Sequence, residues 1–290
     1  MENIKLGPAG KKLIKQLELF KPLKHIVCYS GGHSSAVVAL NVVARYGKED
    51  VILLNHDIHS NVEHEDIKRF KQEVADYLGL PITYANHPKW DIMDQFDVSV
   101  NTKSFKGATG MAICTSLLKT KPFNDYLKAN FDDKNCIIYY GFDKNEMHRV
   151  QRRASILAGQ GYRSDYPLAL WPELKYTTTK EIGIERPLAY TVFKHANCTG
   201  CLKAGKQHWY IVYCTRPDIW EKAKEAEEKI GYSIMRNDYL EDLELQFYKM
   251  KQAGIQASEH EDARTFFARV RKIIETYEDE NVDKPCECTF

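Results

Sequence analysis

Two residue patterns in this chain have the types and spacing needed for chemistry. The first is the run Ser30-Gly31-Gly32-His33-Ser34-Ser35. Glycines let a backbone approach an anion closely, free amides and the dipole of a following helix favour negative charge, and three serine hydroxyls add donors. His33 lies inside this loop, within reach of a bound phosphate. The run is not a Walker loop, because the lysine is missing, nor a dinucleotide fingerprint, because the glycine spacing differs. Its plainer use is a tight turn between strand and helix.

The second pattern is made of cysteines. Cys198 and Cys201 form a C-x-x-C, a spacing that lets two thiolates converge on one metal or cluster and that redox dithiols share. Cys286 and Cys288 form another close pair near the C-terminus. Four thiolates from these two pairs would satisfy zinc. Cys114 with Cys198, Cys201 and one tail cysteine would satisfy an iron–sulfur cluster, and an unligated dithiol is the third reading. Cys28, Cys136 and Cys214 read as small buried hydrophobes.

Charged groups complete the candidate set. Lys119, Lys121, Arg149 and Arg152 can clamp phosphate or sulfate, Arg as a planar fork and Lys as a point charge, or they can be solvated helix faces. Glu146 can orient Arg149 or form a surface pair. Asp57 can hold a magnesium-bound water or a ribose hydroxyl, or serve structure alone. Trp209, Tyr210 and Tyr213 can stack on bases, although such aromatics more often pack a core. His148 and His195 read as structural histidines or as donors behind the site.

The elements that must position these groups alternate between strand and helix. His25–Tyr29 is a β-rich apolar run, and Ala36–Tyr46 has helical apolar spacing. Asp50–Asp57 reads as a buried strand, Glu63–Leu78 as a helix, Pro81–Ala85 as a third strand and Asn135–Gly141 as a fourth. Strands alternating with helices imply a parallel sheet with right-handed crossovers. Leu78–Thr109 carries few signals beyond Pro88, Trp90 and the basic 103–107 loop, and it is left unassigned. From Pro217 the sequence becomes charged and helix-forming, with helices expected near 217–230, 238–253 and 260–278.

Composition sets the frame. At 290 residues, with 43% hydrophobic and 28% charged content, the chain can bury a sizeable core. A formal net charge of +1 gives no global attraction to nucleic acid or membrane, so such a partner needs a local patch. No apolar run approaches the roughly 20 residues of a membrane helix, and the N-terminal stretch lacks the apolar core of a signal peptide. The expectation is a cytoplasmic protein without a membrane partner, whose eight cysteines are free thiols, ligands or catalytic groups rather than a disulfide framework.

Tyr29-Ser30-Gly31-Gly32-His33-Ser34-Ser35 resembles the PP-loop of the ATP pyrophosphatases and the related phosphoadenosine phosphosulfate (PAPS) reductase-like proteins. Ser34 stands where many ATP pyrophosphatases carry Asp. Four further segments resemble the reductase-like branch: Asn55-His56-Asp57 with Glu63, Ile113–Pro122 with Cys114, the Gly141–Arg149 segment of Gly-x-x-x-x-Glu-x-x-Arg form, and Asn197–Gly205 with its Cys-x-Gly-Cys. Together they span roughly residues 25 to 209. The resemblance implies adenine-nucleotide binding at Ser30–Ser35, Asp57, Gly141 and Glu146, with Lys119 and Arg149 acting on phosphate. It favours a 4Fe–4S cluster over zinc at the cysteines. Glu287-Cys288-Thr289-Phe290 is similar in part to the tail that carries the nucleophilic cysteine of sulfonucleotide reductases.

The expectation is therefore an α/β protein: a Rossmann-like parallel sheet with a PP-loop in residues 1–190, and a mainly helical, cysteine-bearing region in 191–290. Its leading function is binding of ATP or another adenine nucleotide with Mg²⁺, and α-phosphate activation with pyrophosphate release, coupled to sulfur transfer or redox chemistry. The first alternative is PAPS or adenosine phosphosulfate reduction with Cys288 as nucleophile, a step that needs a thioredoxin-like reductant. The second is a catalytically silent module that binds nucleotide or nucleic acid. A sulfur donor and a tRNA or DNA acceptor are the further partners weighed.

Overall fold

The computed structural model describes residues 7–8 and 22–282, apart from 109, 197 and 237. The first strand, β1 (Lys24–Cys28), leads through the serine–glycine loop into α1 (His33–Tyr46). Then come β2 (Val51–Asn55), α2 (Glu65–Leu78), β3 (Ile82–Tyr84) and α3 (Gln95–Thr102). A π-helical turn at Thr115–Thr120 runs into α4 (Lys121–Asn130), followed by β4 (Cys136–Tyr139), α5 (Met147–Gly159), β5 (Arg163–Asp165) and the short α6 (Pro167–Leu170). The chain continues with α7 (Lys206–Thr215), α8 (Pro217–Ile230), α9 (Leu240–Gln252) and α10 (Ala263–Val282).

All five strands are parallel, in the order β3-β2-β1-β4-β5. Successive residues alternate between the two faces. Val27, Leu53 and Tyr139 pack under α1 and α2 with Phe70 and Val74, while Ile26, Leu54 and Ile138 face α4 and α5 with Phe123, Leu127 and Leu157. A strand buried on both faces must be apolar throughout, which is why β1, β2 and β4 read as continuous apolar runs. This is an α/β arrangement of Rossmann-like form. Each expected strand forms: β1 is shifted one residue toward the N-terminus, and β2, β3 and β4 are one or two residues shorter at each end.

The helices fall where caps and apolar spacing put them. The His64 ring accepts the Asp66 amide at the start of α2, and Gly79 closes that helix in the left-handed region. In the unassigned stretch the structure adds α3, which begins with a capping box between Asp94 and Asp97. Lys222 of α8 bonds both carboxylates, at 2.7 and 2.8 Å, tying α3 to the C-terminal helices.

One core unites segments on both sides of residue 190. Ile58, Val62, Phe96 and Phe105 pack with Trp209, Trp220, Phe247 and Phe266. Trp209 and Tyr210 are fully buried in it, so neither is available to stack on a base. Tyr213 is half-buried with its ring edge-on to Trp220 at 5.2 Å. Burying a side chain of this size removes 150–250 Å² from water, on the order of 4–6 kcal/mol each before entropic costs. Among the described residues, no helix is long and apolar enough to cross a membrane.

Candidate functional site

The serine–glycine loop sits where the sheet topology opens a crevice. The order of the strands reverses at β1, with β2 and β3 added on one flank and β4 and β5 on the other, all parallel. Ligands of open parallel sheets bind beyond the carboxyl ends of the strands at such a switch point. Gly31 takes φ +81°, and a Cβ there would lie 2.9 Å from Ile67 Cγ2. Gly32 is the N-cap of α1 and brings no side-chain cap, and the first turn carries no acidic residue. The amides of Ser34 and Ser35 are thus left without a capping oxygen, an arrangement that suits an anion.

Gly141, just after β4, closes the loop from the other side. A Cβ at 141 would lie 3.0 Å from both Ser34 C and Ser35 N, backbone atoms that cannot swing away. The hydroxyls of Ser30 and Ser35 are 3.3 Å apart, and Ser35 also donates to Gly32 O at 2.8 Å. The His33 ring is turned away from the crevice. Its Nε2 meets the Thr178 hydroxyl at 3.2 Å and accepts the Thr179 amide at 3.4 Å. Burial, with the charge of Arg186 adding to it, lowers its pKa to about 4, so the ring is a neutral structural acceptor.

Two cavities lie at this end of the sheet, and one of them adjoins the loop. One, of about 100 Å³, is bounded by Cys28, Ser30, Asn55, His56, Lys119 and Phe123. Asn55 donates from its side chain to Tyr29 O, pinning the strand end, and burial holds the His56 pKa below its usual value. The second, of about 50 Å³, is bounded by Asp57, Cys114, Lys119, Cys198 and Cys201 among others. Lys119 and Ile58 line both. The π-helical turn explains this placement: Lys121 N bonds Ser116 O, five residues back, and the widened turn begins directly after Cys114. Lys119 is itself exposed, and its side chain borders both voids.

The thiols and Lys119 shape one another. The pKa of Lys119 is raised, first by Cys198 and then, against desolvation, by Cys114 and Cys201. Burial pushes the Cys114 thiol up to about 11, and burial also raises Cys198, in both cases with Lys119 pulling the other way. Three sulfurs on one cavity wall match the donor chemistry of a thiolate-ligated cluster or zinc. Among the described residues, no group of three or more His, Cys, Asp or Glu is arranged to hold a metal ion. Cys286 and Cys288, the expected source of further thiolates, lie outside the described residues.

The other expected residues fall into two groups. Asp57 lies at the mouth of the thiol cavity and accepts Lys68 Nζ at 3.0 Å. Glu63, 6% exposed, pairs with the buried Lys71 at 3.1 Å behind the loop. Glu146 and Arg149 are paired, with the Arg149 guanidinium 4.2 Å from the Phe142 ring centroid, at the exposed start of α5. Lys121 pairs with Asp125 on the exposed face of α4 at 2.7 Å, as a solvated helix pair does. His148, Arg152 and His195 are exposed, Cys136 is buried, and Cys28 and Cys214 are half-buried.

Several site residues carry no sequence signal. The Tyr190 hydroxyl accepts the His33 amide at 3.1 Å, and Gly32 lies beneath it. The segment that carries Tyr190 is tied down by Leu188 N to Asp66 and by Lys194 N to Glu259 Oε2. Gln95 and His208 grip the Cys198–Cys201 turn. Each contact joins residues far apart in the chain or within a turn of irregular backbone, so no local pattern reveals it. Compared with family models, with curated proteins and with solved structures, the chain matches none of them.

Proposed function

We propose that this chain is a PP-loop enzyme of PAPS reductase-like type, which binds ATP or a close adenine nucleotide at Ser30–Ser35 and couples α-phosphate activation to sulfur-transfer or redox chemistry at Cys114, Cys198 and Cys201. The observation that carries this reading is Lys119, which lines both the cavity at the loop and the cavity of the three thiols. A 14-residue helix at the switch point, whose N-cap Gly32 brings no side-chain cap to the Ser34 and Ser35 amides, would supply the anion-binding end.

In this reading an acceptor nucleophile attacks the α-phosphorus, its bond to phosphorus forms, and the bridging α–β P–O bond breaks with its electron pair leaving on pyrophosphate. The amides of Ser34 and Ser35 and the ammonium of Lys119 stabilise the charge that develops on the phosphate oxygens. Mg²⁺ would neutralise phosphate charge, with Asp57, on the wall of the thiol cavity, as its carboxylate. The thiols would hold a 4Fe–4S cluster, or zinc, with a fourth ligand from Cys286 or Cys288, and such a cluster would supply electron transfer or sulfur activation.

The test begins with anaerobic purification and analysis of iron, sulfide and zinc. Pyrophosphate release from ATP is then measured for the wild type, Gly32→Val and Cys288→Ser. Release by the wild type and by Cys288→Ser, lost in Gly32→Val, supports the reading. Sulfite formation from PAPS that vanishes in Cys288→Ser would replace it with sulfonucleotide reduction. Nucleotide binding without any turnover would leave a silent binding module.

A further inference from the structure

The turn that carries Cys198 and Cys201 has no helix or strand to hold it, yet its backbone is gripped from three directions. The Thr199 amide donates to Val62 O at 2.7 Å. Gln95 Nε2, on α3, donates to Thr199 O at 2.8 Å and Gly200 O at 3.2 Å. From α7, His208 Nε2 lies 3.2 Å from Gly200 N and 3.4 Å from Cys201 N. Gly200 itself has φ +70°, and a Cβ there would meet Ile219 at 2.8 Å and Phe96 at 2.9 Å. The turn is wedged against the aromatic core and then fixed by polar side chains.

The hydrogen-bond pattern defines the state of His208. Two backbone N–H groups converge on Nε2, which can accept them only through its lone pair. The ring proton therefore sits on Nδ1, which faces Glu259 Oε1 at 3.2 Å. The imidazole is 5% exposed and packs beside Phe193, ring centroids 5.0 Å apart. Glu259 is held in turn: its Oε2 accepts Lys194 N at 3.1 Å, and its own amide donates to Val192 O at 2.8 Å. A carboxylate that orients an imidazole, which then fixes a functional group, is a general device for holding a reactive or ligating residue in place.

We propose that His208, oriented by Glu259, is the positioning residue of the thiol turn: by accepting the Gly200 and Cys201 amides it keeps Cys198 and Cys201 facing Lys119 and Cys114 across the cavity. It touches neither nucleotide nor acceptor and acts through the backbone of the turn. This deepens the proposed thiol chemistry and rests on that reading for its purpose, but the positioning is measurable without nucleotide or turnover.

The experiment is hydrogen exchange on the full chain as purified, followed at the Gly200 and Cys201 amides, with alkylation rates of Cys198 and Cys201 by iodoacetamide read by mass spectrometry. His208→Gln sets an amide oxygen close to the place of Nε2 and keeps an acceptor. His208→Phe keeps an aromatic ring and removes the acceptor. Expected is near-wild-type protection in His208→Gln and roughly tenfold faster exchange and alkylation in His208→Phe, the scale of one lost hydrogen bond. Exchange at Trp209–Val212 stays slow in both.

A packing role reverses that order, with Phe tolerated and Gln loosened, and that result would overturn the proposal. Glu259→Ala is the second variant, read even if His208→Phe does not fold: it leaves the ring in place but untethered. Faster exchange at Gly200 and Cys201 is expected there, and wild-type protection counts against the proposal. Absence of pyrophosphate release in the wild type would strike the proposed function and leave these rates as they are.

Discussion

The phenolic oxygen of Tyr190 accepts the backbone N–H of His33 at 3.1 Å, across 157 positions of sequence. It occupies the acceptor place at the start of α1 that a phosphate oxygen would take. Tyr190→Phe removes this occupant and leaves the amide unpaired. We expect the ligand-free protein to lose about 0.5–1.5 kcal/mol of stability in urea unfolding. Mg-ATP should bind a few-fold more tightly by calorimetry. Weaker binding would mean that the hydroxyl stays and donates its own proton to the ligand.

Gly141 touches the loop through backbone alone. Gly141→Ala puts a methyl group 3.0 Å from Ser34 C and Ser35 N, so the loop must shift. The expected cost is roughly 1–3 kcal/mol of stability, as for other overpacked sites. Nucleotide affinity should fall at least tenfold. Unchanged affinity in a titration calorimeter would place the phosphates elsewhere.

His33 makes stability depend on pH in a defined window. Its pKa is lowered by burial from 6.5 to about 4, so the folded ring stays neutral while the unfolded chain takes up a proton below about 6.5. The unfolded state binds more protons in this interval, so stability is fully present above pH 6.5 and is lost as pH falls toward 4. The His33 share is on the order of 3 kcal/mol at most. Burial also lowers the pKa values of His25 and His56, which add the same sign. Urea midpoints measured from pH 7 to pH 4.5 should decline, with a shallower slope in His33→Gln.

Lys119 works against burial at two thiols. In Lys119→Met the Cys114 pKa should climb above about 11, and that of Cys198 should rise with it. Below the pKa, each unit of rise lowers the thiolate fraction tenfold. Iodoacetamide labelling of these two cysteines at pH 9 should therefore slow several-fold, and the pH profile should shift to higher pH. A profile that does not move would show that the ammonium and the thiols do not interact.

Much of the sheet was legible from sequence, because strands buried on both faces must be apolar along their whole length. β1, β2, β3 and β4 and the helices α1 and α2 fall close to the positions their patterns indicate. β5 escaped notice because Arg163-Ser164-Asp165 is a three-residue edge strand without an apolar run. α3 was hidden because only eight residues carry its pattern, and Asp94 and Asp97 look like ordinary surface acids until Lys222 arrives from α8. The loop and the three cysteines were visible as residue types. Their neighbours were not: the parts played by Tyr190, Gln95 and His208 depend on partners that only the folded chain brings near. Trp209 and Tyr210 show the opposite case, where a residue type suited to stacking on bases is spent wholly on the core.

The π-helical turn at Thr115–Thr120 has a consequence for how the two cavities are joined. An α-helix advances about 100° per residue, so one residue more or less rotates everything beyond it by that angle. The wider turn takes up such a phase slip between Cys114, at its entrance, and α4, at its exit. Deleting one residue here would leave every chemical group of the site in the sequence, and would still turn Lys119 away from either the thiols or the loop. The connection between the loop cavity and the thiol cavity depends on a count of residues as much as on their identity.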